Sequence, residues 1–329
     1  MKILYAIQGT GNGHVSRARE IIPHLKKHGE VDILISGTQA EVPLDEPVKY
    51  KFHGFGFVFG KKGGVDISKT YQGLDVKQLV QDCKSLPVDS YDLVINDFEP
   101  VTAWACKFKG KKSVALSHQS AFVSPKTPQI SGFHYGKVIM NNYAPSTAHV
   151  AFHFDRYDDF IHTPVIRQEI RDLNPENKEH YTVYLPAYAD AFILEHVRKY
   201  PDISWHIFSK HSKIAYQKYN AMIFPIDNKG FQDSLAGCTG LLTGGGFEGP
   251  AEALFLKKKV LAVPMRNQYE QLCNALALER LNVPVIWKER EFGDKLNRWI
   301  EDDSRVYVDF PNETSQIINS LIGRYGNGF

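Results

Sequence analysis

His14 lies in the glycine-rich stretch Gly9-Thr10-Gly11-Asn12-Gly13-His14, directly behind the apolar run Lys2–Ile7. Such a turn after an N-terminal strand usually cradles a phosphate. At the start of a helix the dipole repels positive charge and favours the neutral imidazole, the form a general base must hold. A base also needs a partner that orients its other ring nitrogen. Asp97 closes the apolar run Tyr91–Asp97 and can reach His14 if the two strands are neighbours in one sheet. Capping of the loop by the His14 ring nitrogens explains the residue equally well.

A second turn, Gly244-Gly245-Gly246, stands between the run Gly240–Thr243 and the helical pattern that starts near Phe247. Exposed backbone N–H groups and the helix dipole make such a turn an anion site. Glu252, six residues after Gly246, can accept hydrogen bonds from ribose hydroxyls if a nucleotide's phosphates fill the turn. Glu270 and Gln271, opening the next helix, can meet the hydroxyls of a sugar. A solvated helix face is the plain alternative for either glutamate taken alone.

Other chemistries fit less well. Gly11-Asn12-Gly13-His14-Val15-Ser16 matches a dinucleotide fingerprint only loosely, and neither glycine turn supplies the Gly-Lys-Ser/Thr of a P-loop. His24 with His28 and His149 with His153 have i, i+4 spacing but no accompanying glutamate. Asp97-Phe98-Glu99 is the nearest approach to an Asp-x-Asp metal motif. No metal ligand set is assigned.

The elements that must hold these residues follow an alternating grammar. Lys2–Ile7, Val31–Ser36, Tyr91–Asp97, Lys112–His118 and a run ending near Phe154 read as strands, with helices between. Pro23 should kink or shorten the first helix, which Gly29 can close. Charge and proline then interrupt the pattern. A second series begins at Tyr181–Pro186 and includes strands in Ile203–Phe208, Ala221–Ile226, Gly240–Thr243, Lys259–Pro264 and Val283–Trp287. Two α/β series imply two parallel sheets, with ligands at the carboxyl ends of their strands. We expect domains over 1–160 and 161–310, and a terminal helix within 311–329 that can cross back to the first domain.

Bulk composition agrees with a soluble globular chain: 329 residues, 23% charged and 43% hydrophobic. Lys plus Arg is 39 and Asp plus Glu is 37, which offers no electrostatic case for a nucleic-acid partner. Cys83, Cys106, Cys238 and Cys273 lack CxxC spacing and suit a reducing cytosol. No signal peptide or membrane-spanning run is expected. Phe52, Phe55, Phe57 and Phe59, followed by Lys61 and Lys62, read first as a strand with one buried face and a basic loop. The alternative is an apolar acceptor groove or a peripheral membrane contact.

The segment from Thr243 to Asn282, with its Gly-Gly turn, Glu-Ala-Leu helix and Gln-Tyr-Glu-Gln box, resembles the donor-binding segment of GT-B glycosyltransferases. It is similar to the UDP-glycosyltransferases and to the lipid II N-acetylglucosaminyltransferase. The stretch Gly9–Ala18 resembles the glycine loop and histidine of the same superfamily. The resemblance implies two Rossmann-like domains facing across a cleft, and transfer of a sugar from a nucleotide-diphosphate sugar, UDP-linked, to an acceptor hydroxyl. It further implies inversion, no metal or other cofactor, and a cytoplasmic location, with the inner face of the membrane open if the acceptor is lipid-linked.

On that resemblance Gly244, Gly245, Gly246 and Phe247 take the diphosphate, Glu252 the ribose, Glu270 and Gln271 the donor sugar, and Ile226 lies near the base. His14 is the acceptor's base and Asp97 its orienting acid. Gly11 and Gly13 then let the acceptor approach the backbone. One departure stands out: many relatives carry a phosphate-contacting histidine where this chain has Gly244. A sugar-nucleotide epimerase of the same architecture and a nucleotide-sugar-binding protein without turnover are the alternatives.

Overall fold

The computed structural model describes residues 1–37, 44–54, 59–60, 64–65, 75–132 and 134–328. Phe55, Phe57, Lys61 and Lys62 lie outside them. Phe52 ends a strand, while Phe59–Gly60 pairs with Gly64–Val65 in a small antiparallel ladder.

The first sheet is built from β1 (Lys2–Gln8), β2 (Glu30–Ser36), β3 (Val48–Phe52), β6 (Leu93–Asp97), β7 (Val114–Ser117), β8 (Ala148–Phe152) and β9 (Ile161–His162), with β4 and β5 forming the small ladder just described. Its order is β3-β2-β1-β6-β7-β8-β9, and every pairing is parallel. The period-2 alternation of β1 explains its central place. Ile3, Tyr5 and Ile7 enter one apolar cluster and Leu4 and Ala6 enter another on the opposite face. The last strand falls just past residue 160, inside the charged, proline-bearing stretch.

The second sheet contains β10 (His180–Tyr184), β11 (Ser204–Ser209), β12 (Tyr216–Lys218), β13 (Ala221–Pro225), β14 (Gly240–Gly244) and β15 (Lys259–Val263). Its order is β12-β13-β11-β10-β14-β15, parallel except for the edge strand β12. Val283–Trp287, expected as a further strand, makes only a single bridge to Ala262. The Pro284 carbonyl accepts from Ala262 and the Ile286 N–H donates to Ala262. Pro284 has no N–H of its own, so the ladder does not extend.

The helices used below are α1 (Asn12–Leu25), α2 (Val76–Ser85), α3 (Pro100–Lys109), α4 (Tyr135–Tyr143), α5 (Gln168–Arg171), α6 (Asp190–Val197), α7 (Asn228–Gly237), α8 (Glu248–Phe255), α9 (Tyr269–Arg280), α10 (Phe292–Glu301) and α11 (Thr314–Tyr325). α1 runs through Pro23 and stops two residues later, short of Gly29. Gly29 instead packs against the Met1 carbonyl, so closely that a Cβ there would collide with it. α11 packs on α1, where His28 Nε2 meets Asn319 Oδ1 at 2.9 Å. One apolar cluster joins β1 and α1 to β14, α8, α9 and α11, so the two halves share a continuous core.

Both sheets have a topological switch point. In the first, the chain leaves β1 for β2 on one side and later returns to β6 on the other. In the second, β10 is flanked by β11 and β14. Loops diverge at such points and leave a crevice at the carboxyl ends of the strands. His14 follows β1, Asp97 ends β6, and the triple-glycine turn follows β14.

Candidate active site

β1 and β6 are direct neighbours, with Ile7 opposite Asp97. That register brings the Asp97 carboxylate under the first turn of α1. His14 Nδ1 lies 2.8 Å from Asp97 Oδ1. An ionised carboxylate only accepts, so Nδ1 is the donor in this contact, and Arg17 Nη2 lies 3.1 Å from the same nitrogen. The Gln119 amide nitrogen sits 3.4 Å from Nε2 and holds the ring from its outer edge. Phe98, whose φ of 54° turns the chain sharply after β6, stacks over the imidazole at 6.4 Å.

Asp97 is fully buried and has a second partner that inspection of the sequence did not single out. Arg17, one turn beyond His14 on α1, donates from Nε to Oδ2 at 3.1 Å and from Nη2 to both oxygens, at 2.6 and 2.9 Å. Burial pushes the Asp97 carboxyl up, but Arg17 and then His14 outweigh it and hold the group below its usual range. The spacing of His14 and Arg17, i and i+3 on one helix face, was the available signal.

Glu99 is engaged with backbone and a hydroxyl. It caps α3, accepting from the Val101 and Thr102 N–H groups at 2.7 and 2.6 Å and from Ser36 Oγ at 2.6 Å. Among the described residues no group of three or more His, Cys, Asp or Glu side chains gathers for a metal. The four cysteines are buried free thiols.

Across the cleft, the glycine turn is braced from α9. Gln271 Oε1 accepts from the Gly245 N–H at 3.2 Å and from the Met265 N–H at 3.0 Å. Its carbonyl oxygen is thereby engaged with backbone, leaving the amide group for other contacts. Asn274 donates to the Gly245 carbonyl at 3.1 Å, and its Oδ1 lies 2.8 Å from His118 Nε2, while His118 Nδ1 lies 2.9 Å from the Phe152 carbonyl. Gly244 and Gly246 are half-exposed, and open space surrounds the Cβ position of Gly246. The Phe247 side chain is buried against His118 of the first half, so only its backbone is left for a phosphate.

Glu252 is buried, with Arg167 Nε donating to its Oε1 at 2.8 Å. Burial raises the Glu252 carboxyl, and Arg167 opposes that. Arg167 comes from the chain between the two sheets, and sequence inspection offered no sign of it. Glu270 faces the first half: its Oε1 lies 3.9 Å from His118 Nε2, and burial raises its carboxyl while His14 pulls it down. Ile226 is half-buried just after β13, beside Asp227, which caps α7. Gly11 adopts φ 98° with nothing near its Cβ position, whereas a Cβ on Gly13 would meet the Glu248 carboxylate at 2.9 Å.

Two parallel sheets with switch-point loops meeting over one cleft describe a GT-B arrangement. A family model for glycosyl transferase family 1 matches residues 1–301. The chain belongs to that family. This glycosyltransferase is similar in fold to the glycotransferase of kitacinnamycin, at TM-score 0.60 and 15% identity over 99% of this chain and 96% of that one. It is similar to MurG of Acinetobacter baumannii, at 0.58 and 13% over 98% and 99%. It is also similar to UGT89C1 of Arabidopsis thaliana complexed with UDP, at 0.59 and 14% over 98% and 94%. No curated protein matches the sequence. No helix among the described residues of this glycosyltransferase is long and apolar enough to cross a membrane.

Proposed function

We propose that this glycosyltransferase moves a sugar from a nucleoside-diphosphate donor, UDP-linked, to an acceptor hydroxyl, with inversion and without a resident metal or other cofactor. The observation that carries the reading is the 2.8 Å contact of His14 Nδ1 with Asp97, which leaves Nε2, beside the Gln119 amide, as the ring nitrogen that meets the acceptor. The acceptor oxygen attacks the anomeric carbon and its proton passes to Nε2. The bond from that carbon to the diphosphate oxygen breaks, and its electron pair leaves with the nucleoside diphosphate. The charge developing there falls to the Gly246 N–H and the N-terminal end of α8, since Gln271 Oε1 already takes the Gly245 N–H. Asp97 stabilises the imidazolium that forms. UDP as the carrier is supported by the likeness to the UDP-bound plant enzyme.

An acceptor with an apolar body fits a cavity of about 430 Å³ next to His14, lined by Phe98, Gln119, Phe122, Met140, Pro145 and His149 among others. Gln119 Oε1 and Ser146 Oγ, both in its lining, are buried without a hydrogen-bond partner among the described residues and can receive hydroxyls. Val123 in the lining and Tyr135, Val138 and Ile139 on α4 are exposed, which suits a lipid-linked acceptor at the cytoplasmic face of a membrane.

The decisive experiment screens UDP-sugars against hydroxyl acceptors and follows the anomeric configuration of the product by NMR, with and without EDTA. The His14→Ala variant should lose transfer while calorimetry shows UDP binding retained. Retained transfer removes His14 as the base, and a retained anomeric configuration removes the inverting mechanism. Loss of rate in EDTA removes metal independence.

A further inference from the structure

Arg17 touches the machinery of both halves. Its guanidinium is buried, 2% exposed, with Nε and Nη2 on Asp97 and Nη1 on Glu248. Glu248 opens α8, two residues past Gly246, at the helix end that the proposed function gives to the donor diphosphate. Gly13 admits the Glu248 carboxylate, because a Cβ there would stand 2.9 Å from its Oε2.

The charges show why this contact matters. A carboxylate beside a phosphate turn repels the anion the turn is built to hold. A buried carboxylate under the base needs a cation, or it takes up a proton and stops orienting the imidazole. One planar guanidinium with separate N–H edges serves both acids at once, which a lysine's single ammonium cannot do. The other groups facing this cluster are His14 on α1, Tyr5 on β1, Gln119 and His118 beyond β7, Glu270 on α9, and Arg167 with Glu252 on the Glu248 side. Arg167 acts on Glu248 from a distance, and among the described residues only Arg17 forms an ion pair with it.

We infer that Arg17 is a positioning residue that neutralises Glu248 so the glycine turn accepts the donor diphosphate, and that also anchors Asp97 beneath His14. The inference rests on the proposed transfer reaction. It separates two effects on one residue: the donor KM reports the Glu248 side, and kcat reports the Asp97 side.

The test compares Arg17→Gln, Glu248→Gln and the double variant by steady-state transfer kinetics and by thermal melting. In Arg17→Gln the donor KM should rise about tenfold, because Glu248 is left charged, and kcat should fall roughly 100-fold, because Asp97 is left without its cation. In the double variant the donor KM should return toward the wild-type value while kcat stays at the Arg17→Gln level. Arg17→Lys should recover less than half of either loss. A donor KM in the double variant as high as in Arg17→Gln overturns the inference, as does a kcat that recovers with the KM. A purely structural loss lowers kcat in all variants without that split. Melting needs no substrate: the two single losses should exceed the double loss when added, and strict additivity overturns the contact. If the wild type transfers no sugar and binds no UDP, the proposed function fails, and the melting cycle alone decides whether Arg17 couples the halves.

Discussion

The phenyl ring of Phe247 lies flat on the imidazole of His118, with centroids 3.9 Å apart and planes 4° from parallel. Phe247 precedes α8 in the second half, and His118 follows β7 in the first. The stack is closed on its other sides by His153 and Phe154. With the His118–Asn274 hydrogen bond it ties the first sheet to the backbone of the donor turn.

Burial depresses His118 from an ordinary value of 6.5 to about 3, and His153 is depressed in the same direction. Above pH 6.5 the folded and unfolded chains are both neutral at these rings. Below it the unfolded chain takes up protons that the folded one refuses, so stability falls as pH drops toward about 3. The slope is about 1.4 kcal/mol per pH unit for each ring. Urea unfolding at pH 7 and pH 5 should show that loss, and His118→Gln should show it reduced by one ring's share. An unchanged slope in that variant would mean His118 does not stay neutral in the fold.

Asp97→Asn replaces the acceptor that defines the His14 tautomer. We expect kcat to drop by roughly 10³–10⁴-fold, with UDP affinity from calorimetry held near the wild-type value. A kcat drop below tenfold would show that His14 keeps its orientation without the carboxylate.

Glu252→Ala leaves Arg167 buried without its 2.8 Å partner. Removing one member of a buried pair costs about 3–5 kcal/mol. Chemical denaturation should register that loss, and pairing Glu252→Leu with Arg167→Met should recover most of it. Glu252→Gln isolates the proposed ribose contact, because it keeps a hydrogen-bond acceptor for Arg167. Weaker UDP binding in Glu252→Gln is expected, and unchanged affinity confines Glu252 to holding Arg167.

Gly11 and Gly13 differ in what an alanine would meet. At Gly11 the φ of 98° strains any side chain, but the space is open, so Gly11→Ala should cost about 1–2 kcal/mol of stability and little activity. At Gly13 the methyl group runs into the Glu248 carboxylate. Gly13→Ala should lower kcat/KM at least tenfold with a smaller effect on melting. Equal activity in the two variants would contradict the placement of Glu248.

Much of the architecture was legible in the chain. The apolar runs of β1, β6, β14 and β15 and the helices around them recur with the periods of strands and helices, and these periods are local properties. Gly244–Gly246 between strand and helix, and His14 behind β1, could be read for the same reason. Val283–Trp287 was not legible as a non-strand, because its apolar content satisfies the strand pattern while Pro284 lacks the N–H that a ladder needs.

By itself, then, the sequence determined the α/β alternation, both glycine turns and the residues that flank them, since each depends on neighbours within a few positions. Only the tertiary structure decided which of those residues meet. Arg17 and Glu248 are 231 positions apart, and Arg167 and Glu252 are 85 apart. Their pairing follows from strand order and from how the two sheets face each other, and a charged side chain carries no local mark of its partner. Burial decided the rest. In water these charges would be a solvated helix face, but enclosed under the cleft each must find a counter-charge.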